Sequence, residues 1–153
     1  MSVGEICNRE VVMVQRDNTV MEVAQLMRQN HVGDVVVVDD LKNGRVPIGI
    51  VTDRDLVVEI MSQGLEPEIL SMGDIMASGI VTVKETDDMF VAIEYMRAKG
   101  VRRLPVVNDM GGLVGILTLD DLLDVMAGDL LAFATLVKRE QENEVQNRGA
   151  YAH

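Results

Sequence analysis

Apolar residues along this chain fall into short runs separated by polar punctuation. Residues 11–14, 35–38 and 46–51 are apolar runs rich in Val and Ile with the length and bounds of strands. Between the first two, Val20, Val23, Ala24 and Met27 recur at helical spacing up to about Asn30, after the turn and N-cap residues Asp17, Asn18 and Thr19. Asp39 to Gly44 is polar and contains Asn-Gly, which predicts a hairpin. A helix is expected from Asp53 to about Ser62, giving the order strand, helix, strand, strand, helix.

The same order follows a second time. Gln63 to Met72, with Gly64 and Pro67, reads as a linker. Residues 80–83 predict a strand, and Thr86 is expected to cap a helix that turns Met89, Phe90, Ile93 and Met96 inward and ends at Gly100. Leu104 to Val107 and Leu113 to Thr118 predict paired strands. A last helix is expected from Leu119 to Gly128, then a separate one from Asp129 to about Asn147. Gly149 to His153 is expected to fray. In that tail Leu130, Phe133 and Val137 share a helix face; the readings are a helix folded back on the domain, a solvated tail or a contact with a partner chain.

The two halves are copies. A shift of 69 positions lays Gly4-Glu5-Ile6 on Gly73-Asp74-Ile75, Val12 on Val81, Val14 on Val83 and Met27-Arg28 on Met96-Arg97. After a loop of different length, Gly49-Ile50-Val51-Thr52-Asp53-Arg54-Asp55 falls on Gly115-Ile116-Leu117-Thr118-Leu119-Asp120-Asp121. This is a tandem duplication rather than a solenoid.

Each copy of that motif sets Thr where a strand hands over to a helix and Asp three residues later. One reading is a capping box, with Thr accepting a backbone N–H and Asp reaching back. The other is a ligand site, in which a hydroxyl and a carboxylate at a helix N-terminus hold a polyol such as ribose beside N–H groups that favour an anion. The same side chains can serve both.

Composition narrows the classes. Hydrophobic residues make up 48% and aromatics 3%, so the core must be built from Val, Ile, Leu and the 11 Met. A net charge of −11 argues against nucleic acid or an anionic membrane as partner. Cys7 is the one cysteine, which excludes an intramolecular disulfide. No apolar run reaches 18 residues and no leader pattern opens the chain, so a soluble cytoplasmic protein is expected. His31 and His153 make no metal-ligand spacing, and neither a P-loop nor G-x-G-x-x-G occurs. No catalytic residue, metal or required cofactor is therefore expected.

The doubled G-h-h-T-x-x-D, the element order and the stretch Val101-Arg102-Arg103-Leu104-Pro105-Val106-Val107 resemble the cystathionine-β-synthase (CBS) domain, and two in tandem resemble a stand-alone CBS pair, or Bateman module. The resemblance spans residues 1–127. It implies an α/β (α+β) fold of two β-α-β-β-α repeats, residues 1–65 and 66–127, related by a pseudo-twofold and packed sheet to sheet, with a helical tail over 128–153. It implies a regulatory sensor that binds AMP, ADP, ATP or a similar adenosyl ligand in clefts between the repeats, forms a homodimer and signals to another protein. Thr52 and Asp55 would hold ribose in one cleft, Thr118 and Asp121 in the other. Arg103, and less directly Arg54 and Arg102, would meet phosphate. Val12, Val14, Ile80, Val81 and Val83 would lie against adenine. Basic groups are unequal between the copies, Asp34 matching Arg103 and Asp120 matching Arg54, so the clefts are expected to differ. The competing reading is a ligand-independent dimer whose T-x-x-D motifs only cap helices.

Overall fold

Four consecutive valines decide the centre of the first half. Val35 to Val38 are all buried, on a strand β2 (Asp34–Leu41) covered on both faces. In the computed structural model, which describes residues 1–42, 44–77 and 79–151 (side chains through 148), β2 lies between two neighbours. β1 (Met13–Val14) runs parallel to it, and β3 (Gly44–Thr52) antiparallel, with Val35 opposite Val51. The crossover is α2 (Val20–Asn30), capped by Thr19, whose Oγ1 accepts the Glu22 N–H at 3.1 Å. It buries Val20, Val23 and Met27.

The second half repeats this with β4 (Val83–Lys84), α5 (Met89–Lys99), β5 (Arg103–Val107) and β6 (Leu113–Thr118). Both sheets have the middle strand flanked by a parallel and an antiparallel neighbour, and both bulge at the same point, Val37/Val38 and Val106/Val107. The sheets meet through Val36, Val38 and Ile116, with Val11, Met13, Ile50 and Leu113 around them. The expected sheet-to-sheet packing of two β-α-β-β-α units is therefore present.

Five local expectations need correcting. Thr86 lies in a turn, and Asp88 is the cap of α5, its carboxylate accepting the Phe90 N–H at 2.9 Å. Starting the helix at Met89 gives Met89, Ala92 and Met96 one buried face and leaves Phe90, about 100° round the helix, exposed. After the first motif the α-helical turn is only α3 (Asp53–Asp55), and Leu56–Met61 is π-helical: the Ser62 N–H reaches Val57 O, five residues back, at 2.9 Å. The two helices expected on either side of Gly128 are one, α6 (Leu119–Tyr151), because a single glycine costs a helix only about 1 kcal/mol and nothing else interrupts it. It also continues through Gly149, against the expected fraying, while Ala152 and His153 lie outside the described residues. Among the described residues no helix is long and apolar enough to cross a membrane.

Two short helices had no signal in the periodicity. α1 (Val3–Ile6) lies against the second half, and α4 (Met72–Ile75) lies against the first. The exchange is reciprocal. Val3 N–H binds Asp87 O and Gly4 N–H binds Glu85 O; their counterparts Met72 and Gly73 bind Asn18 O and Arg16 O, all at 2.8–2.9 Å. Each arm thus crosses the pseudo-twofold.

Candidate ligand site

The crossing arms explain the glycine of each motif. A Cβ on Gly115 would stand 2.7 Å from Cys7 Sγ and 2.9 Å from Asn8 O. On Gly49 it would meet Met76 Sδ, the counterpart of Cys7, at 3.0 Å. The motif's first position is thus set by close approach of the other half's arm.

The end of the first motif is a capping box. Thr52 N–H donates to Asp55 Oδ2 at 2.8 Å and Asp55 N–H donates to Thr52 Oγ1 at 3.2 Å. Asp55 also lines a cleft of about 470 Å3 with Ile50, Val51, Glu59, Ile60 and Ala77 among its walls. In the second motif Thr118 closes β6 opposite Arg103 in the ladder, and Asp121 lies in the first turn of α6. Directly opposite residues of an antiparallel pair share a face, so Thr118 and Arg103 are neighbours.

A second cleft, of about 280 Å3, is lined by Gly49, Ile50, Ala77, Gly79, Ile80, Val81, Lys99, Val101 and Arg103. It therefore joins two of the adenine candidates to the leading phosphate candidate. It shares Ile50 and Ala77 with the cleft of Asp55. Val14 and Val83 are buried in the cores of their halves, and Val12 packs half-buried on the first core. Arg54 is exposed beside the capping box, its N–H held by Asp53 Oδ1 at 2.8 Å, and Arg102 is exposed just before β5.

Arg103 does not wait unpaired. Its Nε lies 2.6 Å from Asp34 Oδ2, which is its own counterpart in the first copy. The pair bridges the two halves at the cleft wall. Lys99, in the last turn of α5, is a cation that the motifs did not point to. The repeat shift does: it lays Lys99 on Asn30, as it lays Arg103 on Asp34.

The equivalent surface on the other side has a different chemistry. Its positions are Gly115, Ile116, Asn8, Glu10, Val11, Val12, Asn30, Val32 and Asp34. There Asn8 and Ile116 exchange two backbone hydrogen bonds of 2.9 Å, fastening the arm to β6. Both cations are replaced, and Glu10 stands where Gly79 does.

Around the arms, a backbone N–H from Ser2 holds the Glu5 carboxyl below its ordinary range, and one from Ser71 does the same for Asp74. A side-chain hydrogen bond from Arg16 lowers Asp39 likewise. Among the described residues no group of three or more His, Cys, Asp or Glu could hold a metal ion.

This arrangement has close parallels in known proteins. An uncharacterized protein of Methanopyrus kandleri is 42% identical over 125 residues, which are 82% of this chain and 62% of that one. The inosine-5'-monophosphate dehydrogenase of Methanocaldococcus jannaschii is 34% identical over 119 residues, 78% of this chain but only 22% of that enzyme. This chain thus spans less than two thirds of either relative. The solved structure of a CBS domain protein from Pyrobaculum aerophilum, in complex with AMP, superposes with a TM-score of 0.70 at 33% identity, covering 80% of this chain and 90% of that one. The CBS domain family model matches twice, over residues 3–62 and 72–128, and the chain belongs to that family as a tandem CBS domain pair.

Proposed function

We propose that this chain is a regulatory module that binds an adenosyl nucleotide such as AMP, ADP or ATP beside Lys99 and Arg103. One observation carries the reading: an apolar cleft with Ile50, Ile80 and Val81 in its wall ends in two cations on a chain of net charge −11. The base lies on Ile80 and Val81, and the phosphate meets Arg103 and Lys99 through charge-assisted hydrogen bonds. The two motifs offer hydroxyls and carboxylates for ribose: Thr52 and Asp55, the carboxylate lining the adjoining cleft, and Thr118 and Asp121 at the matching positions of the second copy. The P. aerophilum relative, solved with AMP, supports the ligand class. Because the opposite surface carries Glu10 and Asp34, one nucleotide binds per chain. Binding acts on a partner protein in the cytoplasm, through a homodimer whose two states differ in affinity for the ligand. The module is a sensor rather than an enzyme.

The test is thermal unfolding with and without millimolar AMP, ADP, ATP, NAD and S-adenosylmethionine. A ligand at about 100 times its dissociation constant adds about 2.7 kcal/mol. Loss of the shift in Asp55→Asn or in Asp121→Asn identifies the carboxylate that holds ribose. A second reading is favoured by the reciprocal Thr52–Asp55 hydrogen bonds: a structural dimer in which the motifs only cap. No shift with any of the five ligands would select it.

A further inference from the structure

Helix α6 presents a seam. Leu123, Met126, Leu130, Phe133 and Val137 follow one another at alternating spacings of three and four, and all are exposed, Leu130 by 69%, Phe133 by 65% and Val137 by 54%. Alternating three-and-four spacing is the a/d pattern of a coiled coil. It stops where Glu140 and Glu144 take the next two positions. A helix supported only by its own backbone bonds is marginal in water, so most helices are held by packing of an apolar face. This seam is half of an interface.

We infer that the other half is α6 of a second copy of this chain, running antiparallel. The homodimer belongs to the function proposed above; the surface that forms it is the new element. Closed two-fold pairing needs a self-complementary patch. About a centre between Leu131 and Ala132 the part from Met126 to Val137 is one: Leu130 faces Phe133 of the partner subunit, and Met126 faces Val137 of the partner subunit, while Leu123 lies outside it. Charge selects the direction. Asp120, Asp121, Asp124 and Asp129 are all the charges of α6 before Lys138 and Arg139. Parallel helices would set these four carboxylates beside their copies. Antiparallel helices separate them: Asp124 comes level with Arg139 of the partner subunit, and of the four only Asp121 comes level with an acidic residue, Glu142 of the partner subunit. The same acidic half repels an anionic membrane surface, the other apolar occupant a seam of this length could take.

The experiment uses the full chain. Light scattering after size exclusion, over about a hundred-fold dilution, is expected to give the mass of two chains. The double variant Leu130→Glu with Phe133→Glu, both on exposed positions, is expected to give the mass of one while keeping the thermal transition of the body and its nucleotide response. A wild-type monomer overturns the dimer itself. A dimer that persists in the double variant overturns only the α6 surface. Direction is read from spin labels on Asn147→Cys in a Cys7→Ser background. Antiparallel pairing puts the two labels about 45 Å apart at 1.5 Å per residue, and a separation under about 20 Å overturns it.

Discussion

The two sides of the pseudo-twofold share a frame and differ in charge. Position for position, Ile50, Val81 and Val101 on one side match Ile116, Val12 and Val32 on the other, so the apolar wall is copied. The polar positions are not. Lys99, Arg103 and Gly79 face a cleft on the first side, while Asn30, Asp34 and Glu10 replace them on the second, where Asn8 is also bonded to Ile116. Ile116 is buried and Ile50, Val12, Val32 and Val81 are half-buried, so packing on the sheets constrains these positions in both copies, Val101 alone being exposed. Exposed positions carry no such constraint, so chemistry concentrated on one side. The Arg103–Asp34 pair joins the sides at the point of greatest difference.

The largest expected effect breaks the comparison at its cation. Arg103→Ala removes a charge-assisted contact worth about 1.5–3 kcal/mol, so AMP affinity falls roughly 10- to 100-fold while adenosine affinity changes little. Calorimetric titration of both ligands checks it, and equal losses would remove Arg103 from the phosphate. Next comes the close approach of the arms. Gly115→Ala forces Cys7 and the Asn8 carbonyl to move and is expected to cost about 1–3 kcal/mol in denaturant unfolding. Gly49→Ala meets the flexible end of Met76 and should cost less than about 1 kcal/mol. Equal costs would mean that the second arm is no more tightly fastened than the first.

The smallest effect tests where the copies agree. Glu5 and Asp74 are both held below the ordinary carboxylate range by a backbone N–H three residues back. A carboxyl whose pKa is lower folded than unfolded stabilises the fold above the ordinary range and loses that contribution as pH falls through it. Stability should therefore decline on acidification into and below that range, and Glu5→Gln and Asp74→Asn should each flatten the decline by a similar amount. A decline flattened by only one of them would show that the arms are not equivalent.

Much of this frame could be read from residue order. Consecutive valines gave the central strands, and the shift of 69 gave the duplication and the inequality of Arg103 and Asp34. What escaped the sequence depended on contacts between distant residues. α1 and α4 are four residues each, too short for a period, and exist because backbone groups 54 to 84 positions away hold them. Thr86 and Asp88 are both good capping types, and only the depth of Met89 and Ala92 in the core selects Asp88. Lys99 belongs to no motif, and only the fold brings it to the cleft of Ile80 and Arg103. At the T-x-x-D motif, the capping geometry of Thr52 and Asp55 is what the spacing predicted. Its spacing alone held no sign that the helix beyond widens into a π turn.

The crossed arms also set a schedule for synthesis. Val3, Gly4 and Asn8 are made well before their partners Asp87, Glu85 and Ile116. At 5–20 residues per second, roughly 5 to 20 s separate Asn8 from Ile116 on the ribosome. Until Glu85, Asp87 and Ile116 are made, α1 and Asn8 have no partners, so the first arm cannot dock before the second copy is largely complete. Such a pair is completed only once both copies exist, and a chain truncated before β6 leaves Asn8 without its partner Ile116.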